Sequence, residues 1–373
     1  MIRALSLTIS TLALAMVSTN AIAQDQIIRV GNLLTDAASS PSGPATIIVR
    51  DGKIAEIRRG SDSASDAGAN IIDLSTKTVM PGLIDLHVHL TGDPGGDFWK
   101  ETTEPAEWGV VVGGHGDVSG FTEDVNDLLT SGYSCTGAVE CAAKVRKASR
   151  AGSDIIKITA TGGVLSQQGR GLDAQFTSAE MQSIADTAHS LGLKVMAHAH
   201  GARGIEAASR AGIDTIEHGT FADEAALKVM KANNTAMVPT LMAFQGVSEG
   251  LGKGIYTPVV EEKIRMTMGQ VGKAVAMAKQ MGVPVAFGTD AGVFDHGRNA
   301  EELQLMVDAG LTKREAVASA TTVAAKMLDM ENQIGKIAVG YSADLIAIDG
   351  NPLDDVRTLE KVDWVMVRGR VID

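Results

Sequence analysis

Between residues 80 and 330 the chain keeps changing its hydrophobic period, and that alternation limits the folds open to it more than any other feature. Short segments at 83–89, 154–159, 194–197, 215–218, 236–239 and 284–288 read as strands. Longer amphipathic stretches at 136–151, 178–191, 202–211, 223–232, 260–281, 300–309 and 313–328 read as helices. Helices joined to strands by short loops return the chain in one direction, so the strands must pair in parallel. This many units, with polar residues at the strand ends, favour a (β/α)8-type, TIM-like barrel over an open doubly wound sheet. No Gly-x-Gly-x-x-Gly follows a strand, which removes the dinucleotide-binding reading. Composition agrees: apolar residues at 45% can fill a sizeable core, and 3% aromatics beside 41 glycines suit close helix-on-strand layers.

The two ends of the chain differ from its middle. Residues 27–80 read as short strands around an Asp51-Gly52 hairpin turn, and residues 343–373 read the same way around Asp349-Gly350-Asn351-Pro352 and Arg368-Gly369. The expected organisation is a composite β domain from 24–80 and 335–373, with an α/β barrel spanning 81–334. Arg3, an apolar run over 5–17 and Ala21-Ile22-Ala23 form the pattern of a signal peptide over 1–23. The run is too short to span a bilayer, so a periplasmic or secreted protein without a stable membrane anchor is expected. A net charge of −12 and the lack of a basic stripe argue against a nucleic-acid partner. Cys135 and Cys141 stand six residues apart at a helix start. They can pair in an oxidising compartment only if Cys135 lies in the preceding loop; otherwise both remain free.

Several strand ends carry ionisable groups. His87 and His89 are two apart, so their rings face one side of a strand. Alone, such a pair is as readily structural as ligating. His198, His218 and Asp290 end three further strands, and together they make a metal site the better reading. Lys157 lies inside an apolar strand, where a bare cation is costly. Either it forms a structural salt bridge, or carbon dioxide converts it to a carbamate, an anionic bridge between two metal ions. Imidazole and carboxylate ligands suit Zn best among divalent metals. Two bridged ions would share a water and convert it to hydroxide near neutral pH; Asp290 would serve as base and then acid. His200, two beyond His198, is a candidate donor to the substrate carbonyl oxygen, with direct ligation and no role as alternatives. His115 in the Gly113–Asp117 loop and His296 beyond Asp290 are candidate substrate contacts. Arg170 and Arg203, near two strand ends, are candidates for binding a substrate carboxylate.

These residues sit in motifs that resemble the amidohydrolase superfamily, in particular its imidazolonepropionase-like and Xaa-Pro dipeptidase-like branch. The motifs are PGLIDLHVHL (81–90), DIIKITATGGVLS (154–166), VMAHAHG (195–201), IEHGT (216–220) and GTDAG (288–292), with VRDGKIAEI (49–57) and GKIAVGYSADLIAID (335–349) at the two ends. The resemblance covers nearly all of the chain after residue 23. It implies a (β/α)8-type barrel beside a composite β domain. It implies two metals, His87, His89 and Asp290 on one, His198 and His218 on the other, and carboxylated Lys157 between them. It also implies hydrolysis of dipeptides or N-acyl amino acids, a small-molecule substrate class, and leaves room for a homo-oligomer. The chain departs from the family at 91–112, where two barrel strands with their helices are expected and only about two dozen residues stand. The expectation is therefore a barrel short of about two βα units. Two other readings follow: a metal-binding variant without turnover, and a cyclic-amide or lactone hydrolase.

Overall fold

The structure is a computed structural model and describes residues 25–60, 70–90, 133–166 and 172–372. Strand β1 (Gln26–Leu33) is followed by the hairpin β2 (Ala45–Arg50) and β3 (Lys53–Arg59). Asp51 and Gly52 join the hairpin with φ of 50° and 76°, the two positive values that match a two-residue turn to strand twist. Strand β4 (Asn70–Pro81) runs parallel to β1 and meets β9 (Leu345–Ile348) in antiparallel register, Thr78 opposite Ile348 and Pro81 opposite Leu345. With β10 (Val362–Val367) and β11 (Arg370–Ile372) the result is a seven-stranded sheet, ordered β11-β10-β9-β4-β1-β2-β3. Both chain ends contribute to it. Side-chain alternation along β4 and β9 divides the burial: Val79, Leu345 and Ala347 face one core with Ile28, Ile47 and Ile54, while Met80, Ile346 and Ile348 face the core under the helices.

Four parallel strands follow, β5 (Ile155–Thr159), β6 (Lys194–Ala199), β7 (Thr215–His218) and β8 (Ala236–Val238). The sheet continues beyond β8 through two irregular extended segments. Residues 284–291 lie beside β8 (Met237 N to Pro284 O 2.9 Å, Ala286 N to Met237 O 2.8 Å). Residues 84–89 lie beside those (Leu86 N to Phe287 O 3.1 Å, His89 N to Ala291 O 2.8 Å). These six strand positions form a barrel-like arc within an α/β fold. The region where the sequence suggests missing βα units, 91–112, lies outside the described residues.

Helices α1 (Ala138–Arg150), α2 (Ser178–Ser190), α3 (Ala202–Arg210), α4 (Glu224–Ala232), α8 (Glu301–Asp308) and α9 (Lys313–Ala318) lie where periodicity predicts them. Helix α2 starts at a capping box, Thr177 exchanging hydrogen bonds with Glu180. Three features differ from expectation. Helix α5 (Leu241–Glu249) is additional. The helix expected over 260–281 is two, α6 (Pro258–Met268) and α7 (Lys273–Met281), because Gly269 ends one and Gly272, at φ 81°, opens the other. Beyond α9, a π-helical turn at Ser319–Val323 precedes α10 (Ala324–Met327), and Thr321 Oγ1 bonds back to Val317 O at 2.7 Å. Cys135 and Cys141 are joined by a disulfide with Cα atoms 5.0 Å apart, Cys135 lying in the loop before α1. Among the described residues no helix is long and apolar enough to cross a membrane.

Candidate metal centre

The C-terminal ends of the parallel strands bring the ionisable residues into one place. His198, at the end of β6, stands beside Thr159 of β5. His198 and His200 alternate to the same side, with ring centres 4.6 Å apart. His218 closes β7 with its ring 4.5 Å from that of His198 and 5.5 Å from that of His87. Lys157 Nζ reaches His87 Nε2 at 2.8 Å. Asp290 Oδ1 lies 3.1 Å from His87 Nε2 and 2.9 Å from His89 Nε2. Two donor sets result, His87 with His89 and Asp290, and His198 with His200 and His218; within each set all ligand atoms lie within 4.8 Å of one another. His87, His198, His200, His218 and Asp290 are all buried. So many buried imidazoles around a carboxylate are a costly arrangement unless a cation unites them, and nitrogen and oxygen donors are what Zn and similar divalent ions take.

Oxygen atoms behind the rings fix their orientation. Glu217, fully buried, accepts from His87 Nδ1 through Oε2 at 2.9 Å and from Thr215 Oγ1 through Oε1 at 2.6 Å. Thr240 Oγ1 holds His218 Nδ1 at 2.6 Å, and Thr220 Oγ1 holds His200 Nδ1 at 2.9 Å. With Nδ1 engaged, Nε2 is the atom each of these rings turns toward the centre, as a ligand where Nδ1 carries the proton and as a donor where Nδ1 accepts from the hydroxyl. Asp85 joins the two segments that carry His87 and Asp290: it accepts from His87 N and Thr289 N, both at 3.1 Å, from Thr289 Oγ1 at 2.7 Å and from Asn299 Nδ2 at 2.8 Å. Gly288 makes the close approach feasible, since a Cβ there would lie 2.4 Å from Val238 Cγ1 and 3.0 Å from His87 Cβ. His218, Thr240 and Asp290 adopt left-handed backbone conformations, φ 71°, 47° and 59°. Each costs a non-glycine residue about 1–2 kcal/mol, and such strain gathers at functional sites.

The electrostatics divide the titratable groups. Burial alone would raise the Asp290 carboxyl, but the neighbouring His87 charge and hydrogen bonds from His87 and His89 hold it well below the usual carboxylate range. Burial, reinforced by His200, keeps His218 well below the usual imidazole range, so its ring is neutral at pH 7. Burial and Lys157 also push His87 down, yet Asp290 and Glu217 outweigh them and its net shift is upward. Phe244 stands edge-on to His200 and His218, with ring centres 6.0 and 6.3 Å away, as an apolar wall.

The structure thus gathers His87, His89, Lys157, His198, His200, His218 and Asp290. It places Arg203 in an exposed ion pair with Asp173 at 3.0 Å, and His296 exposed in the loop after Asp290. His115 and Arg170 lie outside the described residues. Sequence reasoning missed Glu217, Thr220, Thr240, Asp85 and Asn299. Glu217 carried a usable signal, an acid beside His218 in a short strand; the threonines carried none.

Strand-end histidines with a carboxylate and a lysine, on parallel strands of an α/β fold, define a protein of the metal-binding type. Residues 78–372 match the model of the amidohydrolase family, and the chain belongs to that family. Ochratoxinase from Aspergillus niger is 29% identical over 357 aligned positions, covering 76% of this chain and 72% of the relative. An uncharacterized protein of Mycobacterium tuberculosis is 29% identical over 350 positions, covering 86% and 90%. Among solved structures, a Xaa-Pro dipeptidase with bound methionine in the active site superposes with a TM-score of 0.80 at 29% identity, covering 94% of this chain and all of that one. A prolidase complexed with N-methylphosphonate-L-proline gives 0.83 at 27% identity, covering 94% and 99%.

Proposed function

We propose that the protein hydrolyses the amide bond of dipeptides or N-acyl amino acids at a centre of two divalent metal ions, with Zn the metal its donors favour. The observation that carries this reading is the pairing of two converged donor sets around Lys157 and His87. His87, His89 and Asp290 would hold one ion, His198 and His218 the other. Lys157 would bridge them as N6-carboxylysine, its amine adding carbon dioxide with loss of a proton. Bound there, the ions would supply Lewis acidity, lowering the pKa of water and polarising an amide carbonyl. The Asp290 carboxylate, held ionised, accepts the proton of the attacking water and returns it to the departing amine. His200 faces the same space from beside His198 and donates to the carbonyl oxygen as charge builds there. Phe244 and the burial of the rings keep bulk water away. The names of the solved relatives, Xaa-Pro dipeptidase and prolidase, support the amide class.

The test is elemental analysis of the wild type and of Lys157→Ala, with turnover measured on a panel of dipeptides and N-acyl amino acids beside matched lactones. About two metals per chain, lost in the variant, with amide turnover, is the expected result. Two metals with no turnover of any amide would sink the hydrolytic reading; lactone turnover alone would move the chain to ester chemistry. We further propose export after cleavage behind Ala23, a reading the Cys135–Cys141 disulfide supports. N-terminal sequencing of the exported chain should begin at Gln24; an intact leader on the active protein would refute it.

A further inference from the structure

The start of α5 contains an exchange of partners. The first amides of any helix lack intrahelical acceptors, and a threonine at the N-cap ordinarily supplies its hydroxyl to one of them. Thr240 is the N-cap of α5, yet its side chain makes no capping bond. Its backbone is left-handed, at φ 47° and ψ 48°, and its hydroxyl is turned onto His218 Nδ1 at 2.6 Å. Leu241 N and Met242 N, the first two amides of the helix, belong to buried residues, and Met242 N is one that an N-cap hydroxyl ordinarily takes. Left alone, each would be a buried donor without an acceptor. Their acceptor comes from another helix. Glu302, in the first turn of α8 and fully buried, accepts Leu241 N through Oε1 at 2.9 Å and Met242 N through Oε2 at 2.6 Å.

We propose that Glu302 is a positioning residue for His218: by capping α5 in place of Thr240, it leaves the Thr240 hydroxyl committed to the imidazole. Two acceptor tasks compete for one hydroxyl. If the Glu302 carboxyl group is lost, the Thr240 oxygen is drawn back to the open Met242 amide, and His218 loses the contact that fixes its ring. The effect reaches the centre although Glu302 touches none of its ionisable residues. The consequence for metal rests on the proposed function; the consequence for the His218 ring does not.

Three variants separate this from simple helix capping: Glu302→Gln, which keeps one acceptor oxygen and puts an amino group against the other amide, Thr240→Val, and the double substitution. Metal dissociation constants, by competition with a chelator, should show one ion weakened 10–100-fold in each single variant, and the double no worse than Thr240→Val. Melting of the metal-free proteins should behave differently, with both substitutions contributing. In the metal-free wild type, histidine-selective 15N spectra, assigned with His218→Gln, should show the Nδ1-bonded state of His218, and Glu302→Gln should shift it. Unchanged metal affinity and an unchanged His218 signal in a folded Glu302→Gln would reduce Glu302 to a capping residue and overturn the proposal. Independent losses of metal affinity in the double variant would also overturn it. A wild type that binds no metal would remove the proposed function, and the 15N signal would then decide the positioning role on its own.

Discussion

The ring of His87 meets three charged groups at once, Lys157 and Asp290 at Nε2 and Glu217 at Nδ1. Of these Glu217 is the one that acts from behind, holding the ring in the tautomer that presents Nε2. Glu217→Gln should weaken the ion on His87 by 10–100-fold, read by chelator competition, while the metal-free protein stays folded by circular dichroism. Unchanged affinity would show that packing alone orients the ring. Glu302 titrates where it affects stability. Burial pushes its carboxyl up to about 8, aided by Asp85 and opposed by the two amides of α5. Between an unfolded value near 4.5 and that folded value the native state binds the extra proton, so this group's contribution falls as pH rises through the window. Unfolding free energy of the metal-free protein, followed from pH 4.5 to 8, should therefore lose part of its downward slope in Glu302→Gln; an identical slope would contradict the assignment. At this scale the sequence was legible where an ionisable group ends a strand, as with His198 and His218, or lies inside an apolar one, as with Lys157. Thr240 and Glu302 read as an ordinary turn residue and an ordinary first-turn acid, because their roles depend on a contact between distant elements.

Among the elements, the strand ends beside His87 tolerate little. An alanine at Gly288 would drive its Cβ against Val238 and His87. Gly288→Ala should destabilise the protein by about 1–3 kcal/mol in chemical denaturation and lower metal content; a fully stable, metal-loaded variant would show that the segment can shift. The disulfide anchors the start of α1, which is also tied to α2 through Gly137 N on Glu180 at 2.7 Å. Closing so short a loop is worth roughly 2 kcal/mol on the chain-entropy account, so Cys141→Ser should lower stability by about that amount, with site chemistry unchanged. Periodicity located most helices because their buried faces repeat regularly. It joined α6 to α7 because apolar spacing continues across Gly269–Gly272, and only the backbone turn there separates them. It missed α5, whose N-cap threonine is spent on His218 while Glu302 takes the first amides from another helix.

For the whole molecule, the donor sets predict that metal and fold are linked. Stripping the protein with a chelator should lower the melting temperature by several degrees, and added Zn should restore it; indifference to both would argue that the histidine cluster is stable without metal. The overall architecture was legible because parallel-strand units and two β-rich ends leave few arrangements. How the ends join was not, since strand pairing between distant segments has no local sequence mark. The β4–β9 pairing has a consequence for biosynthesis. Strand β4 leaves the ribosome with one neighbour, β1, while its other partner is encoded near the last codons. At ordinary elongation rates it waits on the order of tens of seconds with an open edge. A nascent chain that stalls before β9 would carry a complete donor set and an unpaired sheet, making truncated product a target for aggregation or degradation. For an exported protein, the same delay would keep the chain threadable through a translocation channel until its final residues arrive.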